Sequence, residues 1–244
     1  MTWLSPITER RDAPRCRLVC FAHSGGSARS FAEWPANLPP EWELWAAELP
    51  GHGTRRAEPL PRQVGDVAPQ LARAIEPLLD RPTILLGHSL GAILAFEVAR
   101  ALEHHAPRPR LVVLSARPAP DAARTGELLH VLDDATFIDR VRAIAGAERG
   151  GEWQELLELS LPVLRADFAM GERWQPDEHA SIGIPVVAFA GLSDPYAPPA
   201  AMAGWARYTR AAFRAYAFPG DHFFPDATTK TLLRFVDETL AAVS

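Results

Sequence analysis

The stretch Thr83-Ile-Leu-Leu-Gly-His-Ser-Leu-Gly-Ala-Ile-Leu-Ala-Phe96 joins two periodicities across a serine flanked by glycines. Thr83 to Gly87 is a β-rich apolar run, whereas from Leu90 onward Ile93, Leu94, Val98 and Leu102 recur at helical spacing. Gly87-His-Ser-Leu-Gly91 therefore lies where a strand turns sharply into a helix, the setting that a G-x-S-x-G turn requires. Both glycines are needed because such a turn is strained and leaves no room for a neighbouring Cβ. The Ser89 Oγ is then presented at a helix N-terminus, where the dipole and the Leu90 N–H favour negative charge. Ser89 is the candidate nucleophile.

Working outward, β-rich runs at 17–22, 43–48, 111–115, 185–190 and 213–218 alternate with helical patterns at 66–79, 90–105, 199–208 and 226–243. Near-continuous apolar strands separated by helices predict a mainly parallel sheet covered on both faces, a doubly wound α/β fold. One stretch breaks the rhythm. Between 118 and 182 there is no strand pattern but two helical ones. The first follows an N-cap at Asp133 or Asp134 and repeats apolar side chains at Phe137, Ile138, Val141 and Ile144. The second carries Leu157, Leu161, Leu164 and Phe168, with Pro162 as an expected kink. A helical insertion between two strands of one sheet predicts a lid at 118–182 over a core made of 1–117 and 183–244.

A serine nucleophile needs a base, and the base needs an orienting carboxylate. Pro185-Val-Val-Ala-Phe-Ala-Gly-Leu-Ser-Asp-Pro delivers Asp194 just past a buried strand. Phe213-Arg-Ala-Tyr-Ala-Phe-Pro-Gly-Asp-His delivers His222 just past the last one. The order Ser, Asp, His along the chain suits this topology. Among rival acids, Asp221 adjoins His222 but points elsewhere, Asp226 is expected to cap the last helix, and Asp177 lies at the exit of the insertion. His104 and His105 end a helix, His130 and His179 belong with the insertion, and His23, His52 and His88 sit in turns near strand ends. The paired spacing of a metal site is absent, so no metal is expected. The turn Phe21-Ala-His-Ser-Gly-Gly-Ser has the composition to bring backbone amides close to a ligand, which makes Ser24 N–H the partner of Leu90 N–H in an oxyanion hole. His23 is expected to shape that turn, and Leu49-Pro-Gly-His-Gly is expected to be a structural turn.

The 244 residues, 48% hydrophobic and 23% charged, describe an ordinary globular chain. No apolar run approaches the roughly 18 residues that would span a bilayer, and no export signal opens the chain, so the expectation is a cytoplasmic protein. The net charge of -5 argues against nucleic acid as a partner. Arginine groups at 10, 11, 15 and 17 and at 55, 56 and 62 are expected to be mostly solvated surface. Cys16 and Cys20, four apart on a strand, would stand about 13 Å from each other, too far for a disulfide. They are expected to be reduced core residues.

With these residues assembled, the chain resembles the stand-alone type II thioesterases that accompany polyketide and nonribosomal-peptide synthases, members of the α/β-hydrolase superfamily. The resemblance rests on His23-Ser-Gly-Gly-Ser, Leu49-Pro-Gly-His-Gly, Gly87-His-Ser-Leu-Gly91, Leu161-Pro-Val-Leu-Arg-Ala-Asp-Phe, Asp194-Pro and Gly220-Asp-His-Phe-Phe, and spans about residues 14 to 240. Ser24 and Asp221 depart from it, standing where alanine and glycine are common. The resemblance implies hydrolysis of acyl groups from the phosphopantetheine arm of acyl or peptidyl carrier proteins, with no cofactor of the enzyme's own, a transient carrier partner and a monomeric state. It also makes Phe137, Leu161, Leu164 and Phe168 candidates for an acyl channel, although core packing would account for them as well. A small-ester carboxylesterase or lipase uses the same triad. A non-catalytic binding protein and a cyclising terminal domain are further alternatives.

Overall fold

A computed structural model describes residues 2–122, 128–146, 157, 159–177 and 180–243. His179 and the remaining parts of the 118–182 segment lie outside the described residues. Seven strands form one sheet: β1 (Leu4–Pro6), β2 (Cys16–Phe21), β3 (Trp42–Ala47), β4 (Thr83–His88), β5 (Leu111–Ser115), β6 (Val186–Gly191) and β7 (Phe213–Phe218). Their spatial order is β1-β3-β2-β4-β5-β6-β7, and every pairing is parallel except that of β1 with β3. The short β1 has no apolar alternation of its own; it pairs Leu4 with Ala47 and was not visible as a strand in the sequence.

Helices flank this sheet: α1 (Val64–Ile75), α2 (Leu90–Leu102), α3 (Asp134–Ala145), α4 (Leu161–Arg173), α5 (Pro199–Ala203) and α6 (Phe224–Val243). Each forms for a local reason. Helix α1 opens on a capping box of Gln63 and Asp66 and buries Val64, Val67, Ala68, Leu71, Ala72 and Ile75, one stripe at helical spacing. The Asp133 carboxylate caps α3 by accepting from Thr136 N–H, so Asp133 and not Asp134 is the cap. Nearly all of α2 is buried, as befits a helix packed on the centre of the sheet. Strands β2, β4, β5 and β6 are buried along their whole length, the burial expected when helices cover both faces.

Three expectations change. Pro162 is the second residue of α4, in the first turn where no intrahelical N–H is lost, so it starts the helix and does not kink it. Helix α6 begins at Phe224, which puts Asp226 inside the first turn instead of at the cap. Two of the arginines are not solvated. Arg17 is buried and bonds Glu43 at 2.8 Å and the Asp80 carboxylate, while Arg55 is buried, donates to Glu48 O and lies 4.1 Å over the Trp3 ring. Both cysteines are free and buried, and burial pushes the Cys16 thiol up to about 12.

The topology places a crevice. After β2 the chain moves outward to β3, then returns across β2 to β4 and proceeds the other way. Loops that leave the carboxyl ends of β2 and β4 therefore diverge, and this switch point is where open α/β sheets bind ligands. Register brings the strand ends level: Phe21 pairs with Gly87, His88 with Ser115, and Gly191 with Phe218. Among the described residues no helix is long and apolar enough to cross a membrane.

Candidate active site

Ser89 stands between β4 and α2 with φ +56° and ψ -115°, outside the regions a side chain favours. Tertiary packing enforces that strain. A Cβ on Gly87 would lie 1.9 Å from Gly91 O, and one on Gly91 would lie 2.0 Å from Phe21 O and 2.7 Å from Ala22 O. The glycines thus let α2 start directly against β4 and against the turn leaving β2. Ser89 N–H donates to Ser115 O at 2.8 Å, which locks the elbow to β5.

The acid and base arrive on the loops after β6 and β7. Asp194 Oδ2 lies 2.8 Å from His222 Nδ1, with both side chains almost wholly buried. Asp194 Oδ1 accepts from Tyr196 N–H at 2.8 Å and Ala197 N–H at 3.1 Å, so the carboxylate is fully engaged and cannot rotate away. The two loops interlock. Ser193 N–H donates to Gly220 O, and Gly191 has no space for a Cβ because Asp221 O would lie 2.3 Å from it. Asp221 itself turns its carboxylate to Phe223 N–H at 2.8 Å, away from the imidazole. With Nδ1 committed to Asp194, the remaining His222 nitrogen is the one that can exchange a proton in the cavity it shares with Ser89.

That cavity, about 270 Å³, is lined by Ser89, His222, His23, Ser24 and Gly25 at its polar end. Its apolar walls come from both parts of the chain. Val141, Ile144, Ala145, Leu157, Leu164 and Phe168 come from the inserted segment, and Phe31, Trp34, Leu86, Phe223 and Leu232 from outside it. Leu164 and Phe168 thus border the same cavity as Ser89. Phe137 and Leu161 do not line the cavity. Phe137 is fully buried behind the wall, its ring edge-on to Phe168 at 5.4 Å, and Leu161 packs into the same small apolar cluster. Of the oxyanion candidates, Ser24 lines the cavity, and Leu90 opens α2, where the first N–H groups have no partner within the helix.

His88 lies beside the base, its ring centroid 5.2 Å from that of His222, and Nδ1 is 3.0 Å from Ser115 Oγ. Burial, with the neighbouring charges of His222 and His23, holds its pKa well below the ordinary histidine value. It remains neutral and leaves proton transfer to His222. Among the described residues no cluster of three His, Cys, Asp or Glu side chains could hold a metal ion.

A family model described as the thioesterase domain matches residues 16–240. The chain belongs to the thioesterase family. Thioesterase PikA5 of Streptomyces venezuelae is 40% identical over 211 residues, covering 85% of this chain and 75% of that one. Among solved structures, the type II thioesterase BorB from the borrelidin biosynthetic cluster is 31% identical with a TM-score of 0.88, covering 98% and 97% of the two chains. YbtT, a type II thioesterase from the yersiniabactin pathway, is 28% identical with a TM-score of 0.87 and full coverage of both. This thioesterase is therefore an α/β-hydrolase of the type II group, and Ser89, His222 and Asp194 fit a serine-hydrolase triad.

Sequence reasoning missed the polar joints that tie the inserted helices of the thioesterase to its core. Asp167 on α4 is 1% exposed; its Oδ2 accepts from Gly25 N–H at 2.7 Å and faces His52 Nε2 at 3.0 Å. Leu49-Pro-Gly-His-Gly is thus more than a turn, for it delivers His52 to the inserted segment. A second joint is Arg117, which donates to Gly171 O at 2.6 Å and to the Tyr196 hydroxyl at 2.7 Å, while the Tyr196 ring meets His222 edge-on at 5.6 Å. The signal for the first joint was present: Asp167 lies three residues after Leu164, on the apolar stripe of α4, and a charge there demands a buried partner.

His52 has an acceptor at each nitrogen, Pro50 O at 2.9 Å from Nδ1 and the Asp167 carboxylate at Nε2, an arrangement that favours the doubly protonated ring. Burial pulls its pKa down, but the Asp167 hydrogen bond and charge, with the Glu48 charge added, leave it above the ordinary 6.5. A raised native value stabilises the fold fully below the unfolded pKa, and that stabilisation is lost as pH climbs through the native value. The expected result is a Tm that falls from pH 6.5 to 9 more steeply in the wild type than in Asp167→Asn, which lacks the anion bonded to Nε2 and keeps only the weaker influence of Glu48. Parallel Tm curves for the two proteins would refute it.

Proposed function

We propose that this thioesterase hydrolyses acyl groups from the phosphopantetheine arm of acyl or peptidyl carrier proteins through an acyl-enzyme on Ser89, clearing synthases of stalled or wrong acyl chains. The observation that carries this reading is a mostly apolar chamber opening onto Ser89 and onto a His222 already oriented by Asp194. Names among the relatives support it: PikA5 is a thioesterase, and BorB and YbtT are type II thioesterases of biosynthetic pathways.

In this mechanism the acyl chain enters the chamber and its thioester carbonyl carbon rests at Ser89 Oγ. His222 takes the hydroxyl proton as Oγ attacks, and Asp194 holds the resulting imidazolium. Negative charge moves onto the carbonyl oxygen, where Ser24 and Leu90 N–H groups receive it. The C–S bond breaks, the proton on His222 passes to the departing sulfur, and the pantetheine thiol leaves. A water molecule then gives a proton to His222 and attacks the acyl-enzyme; collapse returns that proton to Ser89 and releases the carboxylic acid. The segment 118–182 acts as the lid that supplies half of the chamber wall. The enzyme works as a cytoplasmic monomer that needs no cofactor and meets its carrier protein transiently.

The test is a panel of short and medium acyl groups on a phosphopantetheinylated carrier protein, on free pantetheine, and on p-nitrophenol as oxygen esters. Carrier-bound thioesters are expected to be cleaved fastest, at least about tenfold faster than free pantetheine thioesters, with an advantage that shrinks as salt is added. Equal rates for carrier-bound and free thioesters would remove the carrier protein from the reading. Turnover of oxygen esters alone would make the protein an esterase.

A further inference from the structure

We infer that Asp167 is a positioning residue for the reaction, its carboxylate on α4 holding the turn that presents Ser24 N–H to the cavity. The inference rests on the proposed role of Ser24. His23-Ser-Gly-Gly26 is a β-turn closed by Gly26 N–H donating to His23 O at 2.9 Å. Gly25 has φ +74°, the left-handed third residue that marks a type II turn. Types I and II differ by a flip of the central peptide, here the one joining Ser24 to Gly25. Both ends of that peptide are held. Asp167 Oδ2 accepts its N–H at 2.7 Å, and His23 Nδ1 stands 2.9 Å from its carbonyl oxygen.

The Ser24 N–H belongs to the preceding peptide. That peptide's carbonyl points at Gly26, and because a trans peptide sets C=O and N–H on opposite sides, the Ser24 N–H is turned out of the turn. Ser24 lines the cavity, so the amide has a route to the developing oxyanion. The two peptides share the Ser24 Cα. A turn free to rock or flip about that atom carries its N–H off line, and an oxyanion donor acts only within a few tenths of an ångström of its proper place. Leu164, one turn before Asp167, closes against Gly25, where an added Cβ would meet its Cδ2 at 2.7 Å.

The choice of groups supports positioning over stability. A buried ion pair such as His52 with Asp167 is commonly no more stabilising than apolar side chains of the same size. What an apolar pair could not do is accept the Gly25 N–H. Asp167 thereby couples the inserted helix to the oxyanion side of the site, across 142 residues of sequence.

The experiment measures kcat, KM and Tm of Asp167→Ala and Asp167→Asn on one acyl thioester, beside wild type and Ser89→Ala. The alanine variant is expected to lose about 10- to 100-fold in kcat with KM within about twofold. The asparagine variant keeps an acceptor oxygen for Gly25 N–H and is expected to recover at least about fivefold of that loss. Asp167→Ala strands the His52 cation, so a second variant, His52→Phe with Asp167→Leu, removes both buried partners together, preserves folding and still cannot hold the turn. It is expected to show the same fall in kcat. Wild-type kcat in the folded double variant, an effect confined to KM, or an asparagine variant as slow as the alanine one overturns the inference. Turnover that survives Ser89→Ala would instead overturn the proposed function, and this inference with it.

Discussion

Ser89→Ala is expected to lower kcat on an acyl thioester by about 10⁴- to 10⁶-fold, the range seen when a serine nucleophile is removed from a triad. The fold is expected to survive. The strain at Ser89 lies in its backbone, at φ +56°, and alanine meets the same strain with a smaller side chain. The hydrogen bond that locks the elbow, from Ser89 N–H to Ser115 O, is made by the main chain and is kept. Removal of one hydroxyl therefore takes away the attacking oxygen and leaves Asp194, His222 and the chamber in place. The measurement is single-turnover hydrolysis of a carrier-bound thioester, with Tm as the control for folding and a fluorophosphonate as the probe of the nucleophile. Wild type should be labelled at Ser89 and the variant not at all. Turnover within tenfold of wild type by an intact variant would remove Ser89 from the mechanism.

Gly91→Ala is expected to destabilise the fold strongly. An added methyl would lie 2.0 Å from Phe21 O and 2.7 Å from Ala22 O, and neither atom can move without disturbing β2 and the turn that follows it. Overpacking against side chains typically costs 1–3 kcal/mol, and a clash with main chain belongs at or above the upper end of that range. For a chain of this length about 3 kcal/mol corresponds to a fall in Tm of roughly 6–12 °C. Activity is expected to fall as well, since α2 can relieve the contact only by moving Leu90 and Ser89 away from Ser24. Gly65→Ala is the contrasting substitution. It lies in the first turn of α1, where an added Cβ meets nothing within 4 Å, and the gain in helix propensity makes it neutral to stabilising by up to about 1 kcal/mol. Equal Tm values for the two variants would show that close packing at Gly91 does not hold the elbow.

The core of this molecule was legible because its signals are local. Continuous apolar strands announce a sheet buried on both faces, and G-x-S-x-G announces a turn too tight for a Cβ at either glycine, although the atoms that crowd Gly91 come from the end of β2. Asp194 and His222 could be placed because each ends a strand, and strand ends on one side of a parallel sheet converge. Strand β1 escaped notice because three residues at an edge carry no periodicity, and their pairing with β3 is supplied by the partner. Arg17 looked like surface because the groups that accept from it, Glu43, Leu78 O and Asp80, lie 26 to 63 residues away, and Arg55 because its burial comes from Trp3, which only the fold brings over it.

The chamber is where the tertiary structure had the deciding part. Helical periodicity marks which face of α3 or α4 is buried, but it does not tell what that face meets. Phe137 and Phe168 share the same apolar signature, yet Phe168 borders the cavity and Phe137 packs behind it. Phe31 and Trp34, from the 3₁₀ turns between β2 and β3, form wall that no pattern in the inserted segment could foretell. The same holds for His52 and Asp167, 115 residues apart, each an unremarkable polar residue until the fold removes water from both and sets them against one another, with Pro50 O and the Gly25 N–H as their further partners. The sequence by itself determined the sheet, the elbow and the order of the triad, because these follow from main-chain sterics and strand ends. Which side chains shape the chamber and hold its polar rim was decided only in three dimensions, because burial and hydrogen bonding depend on neighbours that the chain supplies from far away.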